Sequence, residues 1–233
     1  MAIRPFLAMT AAEMRNSPEI SRGICWMACH FSPYGLGLSN WPRTLPPGAL
    51  LMVDDVTPIR SHRADIIAIQ LEDAVKRLDC AGVLLDFQRP GSEHAAALAA
   101  HLVTALPCPV AVSDLYARDL ACPVFLSAPP CHEPLDDYFS PWKGREIWLE
   151  LSKSPEVITV TAQGPQIEPL PYFDGGDAGS PDEFLHCRYK IAISEASAAF
   201  TLWRSREDLE GLLRTAETYG VTTAVGLHQE LGA

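Results

Sequence analysis

Two polar side chains that could act on a ligand follow a short apolar run near the middle of the sequence. Asp86 and Gln88 come directly after residues 82–85, and their spacing of two places them on the same side of an extended chain. A carboxylate can transfer a proton or hold a ligand hydroxyl, and an amide can both donate and accept hydrogen bonds. This pair therefore predicts a polar binding or catalytic site.

Further polar and aromatic residues follow other apolar runs in the same way. They are His30, Tyr34, Trp41, Asp54, Asp55, Ser113, Asp114, Tyr116, Glu150, Ser152, Gln229 and Glu230. Acidic residues after strands also cap helices, but that role does not require aromatic neighbours. We expect the substrate-binding residues, beside Asp86 and Gln88, to be Asp54, Asp55, Tyr34, Trp41, Asp114, Tyr116 and Gln229.

The elements that must position these residues are short apolar strands alternating with amphipathic helices. The apolar runs are nearly continuous, as in a parallel sheet buried on both faces, and lie at 23–29, 49–53, 82–85, 109–112, 123–126, 147–149, 189–193 and 222–227. Helical patterns occupy 65–78, 92–106 and 205–219. The alternation predicts an α/β fold, a (β/α) TIM-type barrel that is small and incomplete or distorted, with its ligand site at the carboxyl ends of the strands.

The length of 233 residues suits a single barrel domain over 1–233. Residues 1–20 are expected to be an N-terminal extension. The Pro-rich segment 127–145 and the Pro-, Gly- and Asp-rich segment 163–184 are expected to be long loops.

The helix at 65–78 followed by residues 82–90 resembles the fourth-strand signature of glycoside hydrolase family 18, which contains the chitinases and the chitinase-like lectins. That signature reads D-G-x-D-x-D-x-E with an aromatic residue before the Glu, and the resemblance is carried by Gly82, Asp86, the aromatic Phe87 and Pro90. The stretch 199–232 is also similar in outline, with a helix, Tyr-Gly and a last strand. The resemblance implies a barrel that binds an oligosaccharide or a small polar ligand.

The sequence departs from this signature at the position that matters most for catalysis. Gln88 stands where the family has the Glu that protonates the leaving oxygen, and Leu84 stands where it has an Asp. A carboxamide has no proton to release near neutral pH, so general-acid catalysis is lost. The resemblance therefore implies a carbohydrate-binding, chitinase-like protein without hydrolase activity, in which Asp86 and Gln88 bind sugar hydroxyls and aromatic rings stack on sugar faces.

Two other interpretations stay open. The chain is an active glycoside hydrolase if other carboxylates at the barrel mouth act as the catalytic pair, with Glu230 or Glu150 as the acid and Asp55 or Asp86 opposite. Alternatively, it is a scaffold that contacts other proteins through its Pro-rich loops.

The composition and charge of the chain exclude several classes of binding partner. A net charge of −11 argues against nucleic acid and anionic membranes, and no apolar run approaches the ~18 residues of a membrane helix. Seven cysteines, an odd number, without a recognisable export signal predict a cytoplasmic protein with reduced thiols. Neither a zinc-ligand spacing nor a glycine-rich phosphate loop followed by a helix is present, so no metal and no cofactor is predicted. The oligomeric state is not predicted.

Overall fold

The computed structural model describes residues 2–20, 22–33, 37–60, 63–171, 173 and 175–231. The strands in this part of the chain are β1 (Arg4–Met9), β2 (Ile24–Phe31), β3 (Leu38–Ser39), β4 (Leu50–Asp54), β5 (Gly82–Asp86), β6 (Val110–Ser113), β7 (Val124–Leu126), β8 (Ile147–Leu151), β9 (Glu156–Thr161), β10 (Gly164–Pro169), β11 (Ser180–Asp182), β12 (Cys187–Ile193), β13 (Ala198–Trp203) and β14 (Val221–Leu227). The α-helices are α1 (Ala11–Asn16), α2 (Ala64–Leu78), α3 (Glu93–Ala105), α4 (Asp114–Ala117), α5 (Leu135–Phe139), α6 (Arg206–Ala216) and α7 (His228–Leu231). These elements form two compact units, one of residues 2–127, 145–150 and 221–233, the other of residues 128–144 and 151–220.

The first unit is a closed parallel barrel. Its eight strands pair in the order β1-β14-β8-β7-β6-β5-β4-β2, and β2 pairs with β1 to close the ring. The predicted TIM-type barrel is thereby confirmed. Inward-facing residues fill the barrel, and all of those in the central cluster are apolar: Phe6, Ala8, Cys25, Leu50, Met52, Leu84, Ala111, Phe125, Trp148 and Val225.

The first barrel strand corrects one expectation. Residues 4–9 form β1 and residues 11–16 form α1, so most of the segment 1–20 belongs to the barrel and is not an extension. Arg4 and Pro5 hide the strand in the sequence, but Phe6 and Ala8 alternate inward as strand residues do. Thr10 and Glu13 begin α1 with a capping box.

The described residues that follow β2 do not form the helix expected of a β/α unit. In the described residues between β2 and β4, which are 32, 33 and 37–49, no helix forms, and β3 runs antiparallel to β2 instead. The chain therefore connects β2 to β4 without a helix in the described residues.

The second unit contains a five-stranded antiparallel sheet in the order β10-β9-β13-β12-β11. The segment 163–184 is therefore not one long loop, because it contains β10 and β11. Pro165 and Pro169 conceal β10, yet β10 is an edge strand, where prolines are tolerated. Residues 189–193 lie in antiparallel β12 rather than in a parallel strand.

The segment 127–145 also has more structure than a loop. It contains α5 and a turn of 3-10 helix at Ser140–Trp142. Phe139, at the end of α5, is buried and stacks on Tyr219 with 4.9 Å between ring centroids. This contact lies within the second unit.

In the described part of the chain, no helix combines the length and the apolar character needed to cross a membrane. All seven thiols are free, and four of the cysteines (Cys25, Cys29, Cys131 and Cys187) are buried. Burial raises the pKa of Cys29 to about 12, so this thiol stays protonated at neutral pH.

Candidate functional site at the barrel mouth

A small cavity of about 80 Å³ opens among the carboxyl-terminal halves of the barrel strands. Asp86 is the last residue of β5 and Glu150 lies near the end of β8, and both carboxylates line this cavity. The remaining lining residues are apolar or glycine: Ala8, Met27, Met52, Phe125, Val225, Gly226 and Leu227. The cavity therefore combines two acids with an apolar surround.

Gln88 and Asp86 lie side by side. The Gln88 Nε2 donates a hydrogen bond to Asp86 Oδ1 at 2.5 Å, and Gln88 is exposed whereas Asp86 is half-buried. Phe87 between them is fully buried and packs against the ring of Phe31, with 5.9 Å between centroids. The buried ring of Phe87 fixes the end of β5, and Asp86 and Gln88 on either side of it lie toward the solvent.

The environment of Asp86 favours its neutral form. Burial raises the pKa of this carboxyl, the Gln88 amide lowers it, and the nearby Asp54 and Asp55 charges raise it again. The net direction is upward, so Asp86 holds a proton at higher pH than an ordinary aspartate does.

The parallel register lines up a row of polar residues at this end of the barrel. His30 of β2 pairs with Asp54 of β4, and Asp54 pairs with Asp86 of β5. The His30 Nδ1 lies 2.6 Å from Asp54 Oδ2, and the Val56 N–H donates to Asp54 Oδ1 at 3.1 Å. Among the described residues no group of three or more His, Cys, Asp or Glu side chains is arranged to hold a metal ion.

Asp55 has a positioning role in this geometry. It is 3% exposed, and its two carboxylate oxygens accept the backbone N–H groups of Gln88 and Arg89 at 2.9 and 3.0 Å. The Arg89 Nε in turn donates to the Asp55 carbonyl oxygen at 2.8 Å. Asp55 therefore fixes the backbone that carries Gln88, and its own carboxylate is taken up by that task.

Two other predicted residues support the loops around the site. Tyr116 donates through its hydroxyl to the Arg89 carbonyl oxygen and accepts the Ser92 N–H at 3.2 Å, so it holds the start of α3. Asp114 is exposed, and its Oδ1 accepts the Leu115 N–H at 2.8 Å. Neither side chain lines the cavity.

The other predicted residues lie apart from the cavity or outside the described chain. Gln229 is exposed on α7 and hydrogen-bonds Glu13, and Glu230 lies on the same short helix. Trp41 lines a different groove. Tyr34 is outside the described residues.

The apolar part of the site is not evident from the sequence. Met27 and Met52 line the cavity because they lie on the inward face of their strands, but in the sequence they look like ordinary core residues. The only available signal was strand alternation, which places Met27 on the same face as Cys25.

Solved structures share this fold over nearly the whole chain. The chitinase-like agglutinin RobpsCRA from Robinia pseudoacacia superposes with a TM-score of 0.63 at 11% identity, covering 97% of this chain and 95% of the other. The chitinase from Chromobacterium violaceum gives a TM-score of 0.62 at 14% identity, covering 98% and 95%. The spore cortex-lytic enzyme SleL from Bacillus cereus gives 0.58 at 8% identity, covering 97% and 70%.

Sequence comparison adds no relative: neither the protein-family models nor the curated proteins contain a match to this chain. At 8 to 14% identity the structural likeness concerns the fold alone. The chain is a β/α barrel with the fold found in chitinases and chitinase-like proteins.

Proposed function

We propose that the barrel mouth binds a saccharide and does not cleave it through the position of the family's general acid. The observation that carries this proposal is the hydrogen bond from the Gln88 amide to Asp86 at the open end of β5. The sequence resemblance puts an amide where the chitinases have their proton donor. With that amide turned to the neighbouring carboxyl, the pair offers fixed hydrogen-bonding groups and no transferable proton at residue 88.

The composition of the cavity supports a saccharide as the ligand. A sugar presents hydroxyl groups at its edges and C–H groups on its faces, so it needs polar groups beside an apolar surface. Asp86 and Glu150 supply acceptors, and Met27, Met52 and Phe125 supply the apolar surface. The names of two structural neighbours, a chitinase and a chitinase-like agglutinin, fit the same ligand class.

A calorimetric titration of the chain with chitotetraose tests the proposal. We expect saturable binding that weakens about tenfold in Asp86→Ala, since a buried hydrogen-bonding carboxylate is worth about 1.5 kcal/mol. The matched control is Asp119→Ala, because Asp119 is exposed and does not line the cavity. Absence of saturable binding to neutral oligosaccharides, or equal affinity in both variants, overturns the proposal.

Restoring the carboxylate provides a second test. Gln88→Glu returns the residue type of the signature, so we expect slow release of the aryl group from an aryl chito-oligosaccharide where the parent chain releases none. The control is Gln166→Glu, the same change at an exposed position of β10. Turnover by the parent chain at the rate of the Gln88→Glu variant contradicts a role limited to binding.

One observation favours hydrolysis as the second candidate function. Asp86 has a raised pKa and shares its cavity with Glu150, and glycoside hydrolysis uses an acid of raised pKa together with a second carboxylate. If this candidate is right, the parent chain turns over the aryl substrate. Asp86→Asn and Glu150→Gln then each abolish turnover, while Gln88→Ala leaves most of it.

A further inference from the structure

A second groove, with a volume of about 840 Å³, lies on the flank of the barrel where the described residues between β2 and β4 form no helix. Its walls are α1 and the segment 40–44, and its floor includes Trp26 of β2. Cys25 points into the barrel core, so the next residue, Trp26, points outward by strand alternation. No residue lines both this flank groove and the mouth cavity.

The two indole rings of the flank groove are held in place by their own N–H groups. The Trp26 Nε1 donates to the Asn40 carbonyl oxygen at 3.1 Å, and the Trp41 Nε1 donates to the Leu38 carbonyl oxygen at 3.1 Å. Trp26 is 6% exposed, whereas Trp41 is only half-buried. With its polar edge satisfied, Trp41 offers a ligand a fixed apolar ring surface.

The charge of the flank groove is opposite to that of the chain. Arg15 and Arg43 line it from its two walls, and its lining contains neither Asp nor Glu. Both guanidinium groups are exposed, and neither forms an ion pair or a side-chain hydrogen bond within the described residues. The neighbouring carboxylate on α1, Glu13, is turned to the backbone N–H and hydroxyl of Thr10, both at 2.7 Å.

We propose that the flank groove binds an acidic saccharide, a sugar chain that carries carboxylates. Arg15 and Arg43 hold the carboxylates, the indole of Trp41 packs against a sugar face, and the exposed Asn40 side chain meets a hydroxyl. The two arginines come from separate elements, α1 and the segment 40–44, so each can bind a different carboxylate of one sugar chain. In a chain with a net charge of −11, two arginines that have no carboxylate partner among the described residues favour an anionic ligand.

The test is a calorimetric titration of the whole chain with trigalacturonate, compared with the same trisaccharide after reduction of its carboxyl groups. We expect saturable binding of the acid, at least tenfold weaker binding of the reduced sugar, and binding that weakens as salt is added. Arg15→Gln and Arg43→Gln should each raise the Kd about tenfold, and Trp41→Ala should raise it by a similar factor. The control is Arg22→Gln, because Arg22 is exposed and outside the groove.

Three results overturn this inference: equal affinity for the acidic and reduced sugars, no effect of the Arg15 and Arg43 substitutions, or tighter binding of AMP or of an oligoglutamate peptide than of trigalacturonate. Circular dichroism of each variant verifies the fold, and Trp41→Phe keeps the ring test valid if Trp41→Ala unfolds. The inference is independent of the mouth cavity. Failure of chitotetraose binding leaves it standing, and failure here leaves the mouth proposal standing.

Discussion

The two compact units of this chain are stabilised by different kinds of core. Among the described residues, the barrel encloses a central cluster of ten buried apolar residues, whereas the buried cluster packed at the sheet of the second unit has three, Cys131, Cys187 and Leu202. Among the described residues, the second unit buries the charged side chains of Glu156 and Arg204, and the barrel buries that of Asp55. The cluster at the sheet is small, and buried polar contacts such as those of Arg204 add to the stability of the second unit.

This difference explains where each unit keeps its polar groups. In the barrel the interior is apolar, and the strand register brings His30, Asp54 and Asp86 together at one end. In the second unit Arg204 is 1% exposed and donates hydrogen bonds to three backbone carbonyl groups. The polar residues of the barrel mouth are therefore functional candidates, and Arg204 is a structural residue.

The largest expected effect is the loss of Arg204. Its guanidinium donates to the carbonyl oxygens of Pro129, Pro130 and His186 at 2.6, 3.1 and 3.2 Å, so Arg204→Ala leaves three acceptors without their donor. We expect the free energy of unfolding of the second unit to fall by about 3 kcal/mol. Hydrogen exchange of the β12 and β13 amides measures this loss separately from the barrel.

The control for this prediction is Arg206→Ala, two residues away. The Arg206 side chain is 86% exposed and its ion pair with Glu210 is on the surface, so its removal should cost less than about 0.5 kcal/mol. If both variants lose the same free energy of unfolding, the buried contacts of Arg204 do not stabilise the second unit as proposed.

A smaller effect is expected from Asp55, the buried carboxylate of the barrel. Asp55→Ala removes the acceptor of the Gln88 and Arg89 N–H groups, and we expect a loss of about 2 kcal/mol in the barrel. Because these bonds position Gln88, saccharide binding at the mouth should weaken as well. Denaturant unfolding and the chitotetraose titration measure the two effects, with Asp119→Ala as the control.

The difference between buried and exposed strands also determines which strands can be predicted from the sequence. Continuous apolar runs such as 82–85 identify barrel strands, because burial on both faces leaves a strong pattern. The strand β10 escapes detection because it is an exposed edge strand with prolines at 165 and 169, and its pairing partner is specified by a hairpin rather than by burial. The strand β1 escapes because its first two residues, Arg4 and Pro5, are exposed.

The sequence also predicts only part of the candidate site. The sequence indicates that Asp86, Gln88 and Glu150 stand at strand ends, and all three lie near the mouth. It cannot indicate which oxygen atoms are already occupied, and this is what separates Asp55 from Asp86. Trp41 looks like part of the same site in the sequence, but the chain from β3 carries it to the outer flank of the barrel.

We expect one ionisable residue in each unit to make folding stability depend on pH in opposite directions. Burial raises the pKa of Asp86, so its favourable contribution to folding is present below the ordinary Asp range and is lost as the pH rises through the raised pKa. Burial, with help from Arg204 and Arg214, lowers the pKa of His186, so its contribution is present above the ordinary His range and is lost as the pH falls. Unfolding curves at several pH values should show Asp86→Asn flattening the first trend and His186→Gln flattening the second. An Asp86→Asn variant with an unchanged pH profile contradicts the raised pKa.

The smallest effect is expected at the exposed end of the sheet. One face of β12 carries every second residue, which are Cys187, Tyr189, Ile191 and Ile193. The exposure of these side chains rises toward the C-terminal end of the strand, where Ile193 is 82% exposed. A side chain already in water gains little from folding, so Ile193→Thr, which keeps the β-branched shape, should change the free energy of unfolding by less than about 0.5 kcal/mol.

The other end of the same face provides the comparison. Leu202 is 6% exposed in the core cluster, and Leu202→Ala should cost about 3 kcal/mol. The ratio of the two losses measures how steeply burial falls along the face. If Ile193→Thr costs as much as Leu202→Ala, the distal end of the sheet is covered in solution, and the picture of a small core beneath an exposed apolar end is wrong.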